Sequence, residues 1–249
     1  MYDDYIVYIY TYYQKEVAGS IYLIPVTLGG SDFGRVIPGF VTDIARSLRY
    51  FVVEDLRSAR RFLRMIDKSF PIDETVFYEL NEHTPIEEIA GFIAPVLQGI
   101  DLGVMSEAGL PGIADPGMLI VRLAHSMNIR VVPMAGPSSI LLALIASGLD
   151  GQNFTFHGYL PQKPFERIAK LKEIEKKVYH GGTQIFMETP YRAQKMAETV
   201  MASCRPETLL CIACDITLPS EEIKTMRISA WKENPPEVDG RLVVFLLGI

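Results

Sequence analysis

Cysteine is scarce in this chain of 249 residues, limited to Cys204, Cys211 and Cys214. An odd number clustered late in the sequence implies no disulfide framework and fits a reducing compartment, so a cytoplasmic protein is expected. Cys211 and Cys214 form a C-x-x-C, but inside LLCIACDI, which reads as a strand, positions three apart face opposite sides. With no second cysteine pair to complete a zinc site, they read as small buried side chains. Long apolar runs are also missing. Ile140–Ile145 ends at Ser147-Gly148, far short of the ~20 residues of a membrane span. His83, His125, His157 and His180 show no metal-ligand spacing, and H-E-x-x-H is absent, so no metal is expected. Without a G-x-S-x-G elbow, a serine-hydrolase reading has no nucleophile. Positive charge is not in excess either. A formal net charge of -6 argues against a whole-surface nucleic-acid binder, while leaving room for a local basic face.

What is present is an ordinary soluble composition, 49% hydrophobic and 22% charged, on a chain long enough for two modest domains. Tyr2, Tyr5, Tyr8, Tyr10, Tyr12 and Tyr13 crowd the start beside Asp3 and Asp4, with no basic n-region. This segment does not read as a signal peptide, and residues 1–19 are set apart as an extension of unclear role. From Ile21 onward, IYLIP, YFVVED, TVFYEL, LGVMS and IRVVP read as strands. Helical spacing lies between them at Phe40–Leu48, Arg57–Ile66, Ile86–Leu97 and Met118–Met127. Repeated βα units predict a doubly wound, mostly parallel sheet with helices on both faces over residues 20–134. His83-Thr84-Pro85 offers the third helix a cap and a first-turn proline. After the Gly/Pro/Ser joint MAGPSS, strands outnumber helices, and the last two strands, EIKTMRISA and RLVVFLLG, lack a helix between them. A second α/β domain with a mixed sheet is therefore expected over residues 135–249.

The most informative stretch is SEAGLPGIADPG, Ser106–Gly117, directly after the apolar run Leu102–Met105. A buried strand that breaks into glycine and proline leaves its sheet at the carboxyl edge, where ligands bind in open parallel sheets. Gly109, Gly112 and Gly117 permit positive φ and close backbone approach, while Pro111 and Pro116 stiffen the path. The dodecapeptide reads as a binding loop for a small polar ligand, and a bulky side chain at Gly109 is expected to block it. Asp115-Pro116 by itself reads as the start of the next helix. A second glycine-rich loop, PVTLGGSDFGR, fails both nucleotide signatures. Ser31 stands where the dinucleotide fingerprint needs glycine, and Arg35-Val36 follow Gly34 where a P-loop needs Lys then Ser/Thr.

Two basic sets stand out. Arg57, Arg60, Arg61, Arg64 and Lys68 recur at steps of three and four on one helix face, preceded by Arg46 and Arg49, and suit phosphate contact beside a cleft. Lys163, Arg167, Lys170, Lys172, Lys176 and Lys177 interleave with Glu173 and Glu175, and read equally well as a solvated face.

Taken in order, IYLIPVTLGG, VVEDLR, VMSEAGLPGIADPG, VVPMAGPSS, ASGL, FTFHGYLPQK, IFMETPYR and GRLVVFLLG resemble the tetrapyrrole methylase superfamily, in particular the small-subunit ribosomal RNA (cytidine-2′-O)-methyltransferase I family. The resemblance implies S-adenosylmethionine as cofactor, bound in the cleft between the domains, and a homodimer. By motif position, Leu28 lies in the first cofactor loop, and Leu110, Pro111, Gly112 and Ile113 match the loop around the methionine end. Ser138 falls at the interdomain joint, and Met187, Ala213 and Leu242 match adenosine-side strand ends. The sequence departs from the ribosomal RNA pattern at three places. Gly29-Gly30 replaces Gly-Asn, Glu54-Asp55-Leu56-Arg57-Ser58-Ala59 replaces Glu-Asp-Thr-Arg-His-Thr, and Ser106-Glu107-Ala108-Gly109-Leu110-Pro111 replaces Ser-Asp-Ala-Gly-Thr-Pro. The departures cluster on the acceptor side. The expected reaction is methylation of an RNA 2′-hydroxyl in the small ribosomal subunit, with Glu54, Asp55 and Glu107 as candidate bases and Arg57 orienting a phosphate or carboxylate. A tetrapyrrole or other small acidic acceptor, and a non-catalytic cofactor-binding regulator, are the alternatives.

Overall fold

The structure, a computed structural model, describes residues 18–249; the tyrosine-rich start, residues 1–17, lies outside the described residues. The chain divides into two compact units between Pro137 and Ser138.

The first unit is a parallel sheet of five strands in the order β3-β2-β4-β1-β5. These are β1 (Ser20–Leu23), β2 (Tyr50–Val53), β3 (Val76–Glu79), β4 (Leu102–Met105) and β5 (Arg130–Pro133). Helices α1 (Gly39–Ser47) and α2 (Leu56–Ile66) cover one face. Helices α3 (Ile86–Phe92), α4 (Ala94–Leu97) and α5 (Met118–Ser126) cover the other. The two-residue period of the strands sorts the core. Phe51, Val53 and Met105 pack with α1 and α2, whereas Ile21, Val52, Leu102 and Val104 pack with α3, α4 and α5. All the predicted strands of this unit form, and the doubly wound parallel architecture follows from them.

Three local details set the element limits. The helix predicted over Ile86–Leu97 is interrupted at Ile93, because Pro95 has no N–H to continue the ladder. Thr84 does not cap α3. Its hydroxyl is tied back to the end of β3, accepting from the Asn81 N–H and donating to the Glu79 carbonyl. Gly103 is required by packing, since a Cβ there would lie 2.6 Å from the Phe51 ring.

The second unit holds α6 (Ser139–Ser147), β6 (Phe154–Tyr159), α7 (Pro164–Val178), β7 (Thr183–Glu188), α8 (Pro190–Ser203), β8 (Leu209–Cys214), β9 (Glu222–Arg227), α9 (Ile228–Glu233) and β10 (Val243–Gly248). Its sheet runs β6-β7-β10-β8-β9. Only the β6/β7 pair is parallel, so the sheet is mixed. The end of the chain corrects the sequence reading. EIKTMRISA is not all strand, because Ile228 and Trp231 turn inward on the short helix α9, which separates β9 from β10. The connection that lacks a helix is β8 to β9, and it gives an antiparallel pair.

Along β8 the strand period sorts the side chains. Leu210, Ile212 and Cys214 face α7, α8 and α9, which leaves Cys211 on the opposite face of the sheet. All three cysteines are buried and free, and burial pushes the Cys204 and Cys214 thiols up to about 12 and about 11. None has thiolate character at neutral pH.

Candidate functional site

In the first sheet, β2 leads on towards β3 and β4 leads on towards β5, so the chain leaves these two adjacent strands in opposite directions. Their carboxyl ends therefore open a crevice, the position where open α/β sheets take ligands. A small hollow lies there, lined among others by Val53, Glu54, Leu80, Met105, Asp115 and Gly117.

Main-chain contacts build the floor of this edge. The N–H of Val26 donates to the carbonyl of Gly109 at 2.9 Å, tying the loop after β1 to the loop after β4. Gly109 has φ of 73°, and a Cβ there would meet Leu28 at 3.1 Å and the Pro137 carbonyl at 3.3 Å. A side chain at Gly109 would thus strain the loop itself, so its substitution does not test ligand access cleanly. Gly136, after β5, lies so close to Pro25 that a Cβ would fall 2.2 Å from the proline ring. The loops after β1, β4 and β5 are packed together at glycine.

Asp115 sets the shape of the dodecapeptide. Its carboxylate accepts from the N–H of Gly112 at 2.7 Å and from the N–H of Gly117 at 2.6 Å. These bonds hold Gly112 at φ of 87° and Ala114 at φ of 62°, and they precede the first turn of α5. From sequence, Asp115 reads only as a helix starter. The available signal was its placement, three residues after one glycine and two before another, which lets one carboxylate close two turns. Around it, Pro111 is buried, Leu110 and Gly112 are half-buried, and Ile113 is 43% exposed.

Four carboxylates gather at the ends of β2 and β4. The half-buried Glu54 accepts from the Glu107 N–H at 2.9 Å. Burial pushes its carboxyl above the usual glutamate range, and Asp115, Glu107 and Asp55 push the same way against that hydrogen bond. Burial likewise raises Asp115, against the N–H groups it accepts from. Asp55 behaves differently. It is the N-cap of α2, accepting from the Ser58 N–H at 2.6 Å and the Ser58 hydroxyl at 2.7 Å, and the two bonds hold its carboxyl below the usual range. The serine at position 58 thus makes Asp55 a structural cap. Glu107 is exposed on the rim, and Arg57 is exposed on the first turn of α2.

In the second unit, Met187 on β7 and Ala213 on β8 both pair with Val244 of β10, from opposite sides. Leu242, two residues earlier on the same strand line, is 48% exposed and held by its N–H and carbonyl to Asp215. Arg241 in turn donates to Asp215 at 2.9 Å. Met187, Ala213 and Leu242 therefore share one end of the sheet. Ser138 is buried, and its hydroxyl caps α6 by accepting from the Leu141 N–H. Among the described residues, no group of histidine, cysteine or carboxylate side chains is arranged to hold a metal. Nor is any helix among them long and apolar enough to cross a membrane.

The profile of the family described as Tetrapyrrole (Corrin/Porphyrin) Methylases matches residues 43–231. The chain belongs to this family. The methylase is 28% identical over 235 residues to ribosomal RNA small subunit methyltransferase I of Vibrio cholerae, covering 93% of this chain and 78% of the relative. It is 31% identical over 215 residues to the protein of the same name from Streptococcus pyogenes, covering 86% and 71%. In fold it is similar to the methyltransferase CobJ, with a TM-score of 0.63 at 16% identity over 93% of this chain and 94% of that one. It is also similar to the uroporphyrin-III-C-methyltransferase of Thermus thermophilus, with a TM-score of 0.53 at 16% identity over 92% of each. This methylase is an enzyme that transfers a methyl group from a donor.

The raised carboxyl of Glu54 has a stability consequence. A group whose folded pKa lies above its unfolded value favours the folded state while protonated, and that contribution is lost as pH rises through the folded pKa. Glu54→Gln keeps an acceptor for the Glu107 N–H and removes the charge. We expect the variant to be at least as stable as wild type at pH 7, with the difference vanishing on acidification. Thermal denaturation across pH measures this, and a large loss of stability at pH 7 would show that the charge is structural.

Proposed function

We propose that this methylase uses S-adenosylmethionine to methylate a ribose 2′-hydroxyl of small-subunit ribosomal RNA. The observation that carries the reading is Glu54, a half-buried carboxylate with a raised pKa, held at the mouth of the β2/β4 crevice beside a glycine-built loop. The names of the relatives supply the acceptor class. The residues suit the cofactor by charge. Glu54, Glu107 and Asp115 give this edge a negative field, which attracts a ligand bearing a sulfonium and an ammonium. Leu28, Gly109, Leu110, Pro111, Gly112 and Ile113 form its seat in the first unit.

When bound, this cofactor supplies a methyl group already activated by its positive sulfur. The protein's part is to align the acceptor and take its proton. A ribose hydroxyl is a weak nucleophile. Glu54 accepts its proton as the oxygen attacks, and a pKa raised by burial makes it a stronger base than an exposed glutamate. The Glu107 N–H fixes which Glu54 oxygen remains free. Asp55 is the weaker base, because its bonds to Ser58, both on Oδ1, hold its carboxyl below the usual range. Arg57, in the first turn of α2, holds a phosphate of the acceptor.

The homodimer belongs to the same proposal. Leu141 and Ile145, one turn apart on α6, are 46% and 77% exposed, an apolar strip suited to a second copy. Light scattering is expected to give twice the chain mass, falling to the monomer value in Ile145→Glu; a monomeric wild type at micromolar concentration would refute the pairing.

Incubation with methyl-labelled cofactor and deproteinised small-subunit ribosomal RNA, followed by digestion to nucleosides, tests the reaction. The label is expected on a ribose 2′-oxygen. Glu54→Gln is expected to lower kcat by about 10²–10⁴-fold with a much smaller loss of affinity for S-adenosylhomocysteine, which keeps the ammonium but carries no sulfonium. The wild-type kcat is expected to rise with pH as Glu54 ionises. Label on a base, no label in RNA, or a fully active Glu54→Gln variant would overturn the proposal.

A further inference from the structure

The two basic sets in the sequence differ sharply once their partners are known. Lys163, at the N-cap of α7, pairs with Glu166, and on the helix Lys170 and Lys177 both pair with Glu173. Arg167 is buried and donates to the Gln162 carbonyl. Only Lys172 and Lys176 of this set remain as exposed cations without an ion pair among the described residues. Arg46 and Arg49 are likewise consumed. Arg46 binds Asp43 and the Ile66 carbonyl, while Arg49 binds the carbonyls of Arg46 and Leu48 and lies over the Phe70 ring.

On α2 the outcome is the reverse. Arg57, Arg60, Arg61 and Arg64 on the helix, and Lys68 just past its end at Ile66 rather than on it as the spacing predicts, are all exposed, and none has a carboxylate within ion-pair distance among the described residues. Ala59, Phe62, Leu63 and Ile66 bury the opposite face, so the helix cannot roll to hide these charges. Arg60 lies over the Phe77 ring, and Arg64 donates to the Lys68 carbonyl, which holds both near the helix surface. The acids at the two ends of the helix, Asp55 and Asp67, are influenced by Arg57 and Arg64 but are already bound to Ser58 and Ser69. A concentrated cationic face on a protein of net charge -6 is costly in self-repulsion and is kept where an anion covers it.

Its position gives the anion a direction. The helix begins at the Asp55 cap, one residue after Glu54, and Arg57 to Arg64 span ~10 Å along the axis at 1.5 Å per residue. We propose that the exposed face of α2 is the track for the acceptor RNA's phosphate backbone, leading a ribose to Glu54. Four arginines along one helix face, with Lys68 beyond its end, match the phosphates of one extended strand, whereas the carboxylates of a tetrapyrrole radiate around a ring. This rests on the RNA reading above and adds the surface that grips the strand.

The test uses the full-length protein and a short labelled single-stranded RNA of mixed sequence, titrated over a range of salt. Four or five contacts give a log–log slope of about -2.8 to -3.5, at roughly -0.7 per contact. The variant Arg60→Gln/Arg61→Gln/Arg64→Gln is expected to bind more weakly and to flatten the slope by about 2. Its affinity for S-adenosylhomocysteine and its circular dichroism should match wild type. Lys172→Gln/Lys176→Gln on α7, which also removes exposed charge, is expected to leave the slope unchanged. If wild type binds and methylates RNA while the α2 variant keeps the wild-type slope, the track is wrong and the proposed reaction stands. An equal loss in the α7 variant would show a diffuse charge effect and also overturn the track. A wild type that binds no RNA overturns both.

Discussion

The hydrogen bond from Val26 to the Gly109 carbonyl is the contact on which the carboxyl edge of the first sheet depends. It joins the loops that leave β1 and β4, and it works only because Gly109 can hold a positive φ with no side chain between Leu28 and Pro137. Gly136 repeats the device against Pro25, bringing the β5 exit to the same place. With these exits fixed, the dodecapeptide has one remaining freedom, its internal path, and Asp115 removes it by closing two turns with one carboxylate. Rigid main chain at a strand edge is what a small ligand requires, since each fixed group binds without an ordering cost of its own.

Charge at this edge opposes stability. Glu54 and Asp115 are both raised by burial, and Glu54 is further raised by its acidic neighbours. A fold selected for stability alone would remove such a cluster or pair it, as it does at Arg241 and Asp215 in the second unit. Its persistence where two strand exits diverge is the pattern of a site whose charges are completed by ligand. Asp55 marks the boundary of that pattern. It is adjacent in sequence to Glu54, but its bonds to Ser58 make it part of α2.

The first sheet was legible because its strands are apolar runs punctuated by glycine and proline, and α1, α2 and α5 because their apolar spacing is regular. The break at Ile93 was less so, since Pro95 falls within an otherwise periodic stretch. Ile228–Ala230 looks like strand for a related reason: a helix of six residues shows too little of its period to differ from an apolar strand end. At the site, the residue types were visible but their division of labour was not. Glu54 and Asp55 are alike in sequence, and only the structure separates the half-buried candidate base from the Ser58-bound cap. The two basic sets were alike in spacing, and only their ion-pair partners separate a solvated face on α7 from an open one on α2. Asp115 was undervalued because its role is to order main chain, which leaves no trace in charge or hydropathy.

If the loop following β4, fixed by the Gly109 contact with Val26, is the seat of the methyl donor, ligand binding must quiet the main chain there. Amide hydrogen exchange on the full-length protein, with and without S-adenosylhomocysteine, tests this most directly. Slower exchange on binding is expected for residues 106–117 and for the segment around Val26–Gly30, with the outer face of α2 unaffected. Binding established by calorimetry without protection of residues 106–117 would contradict it.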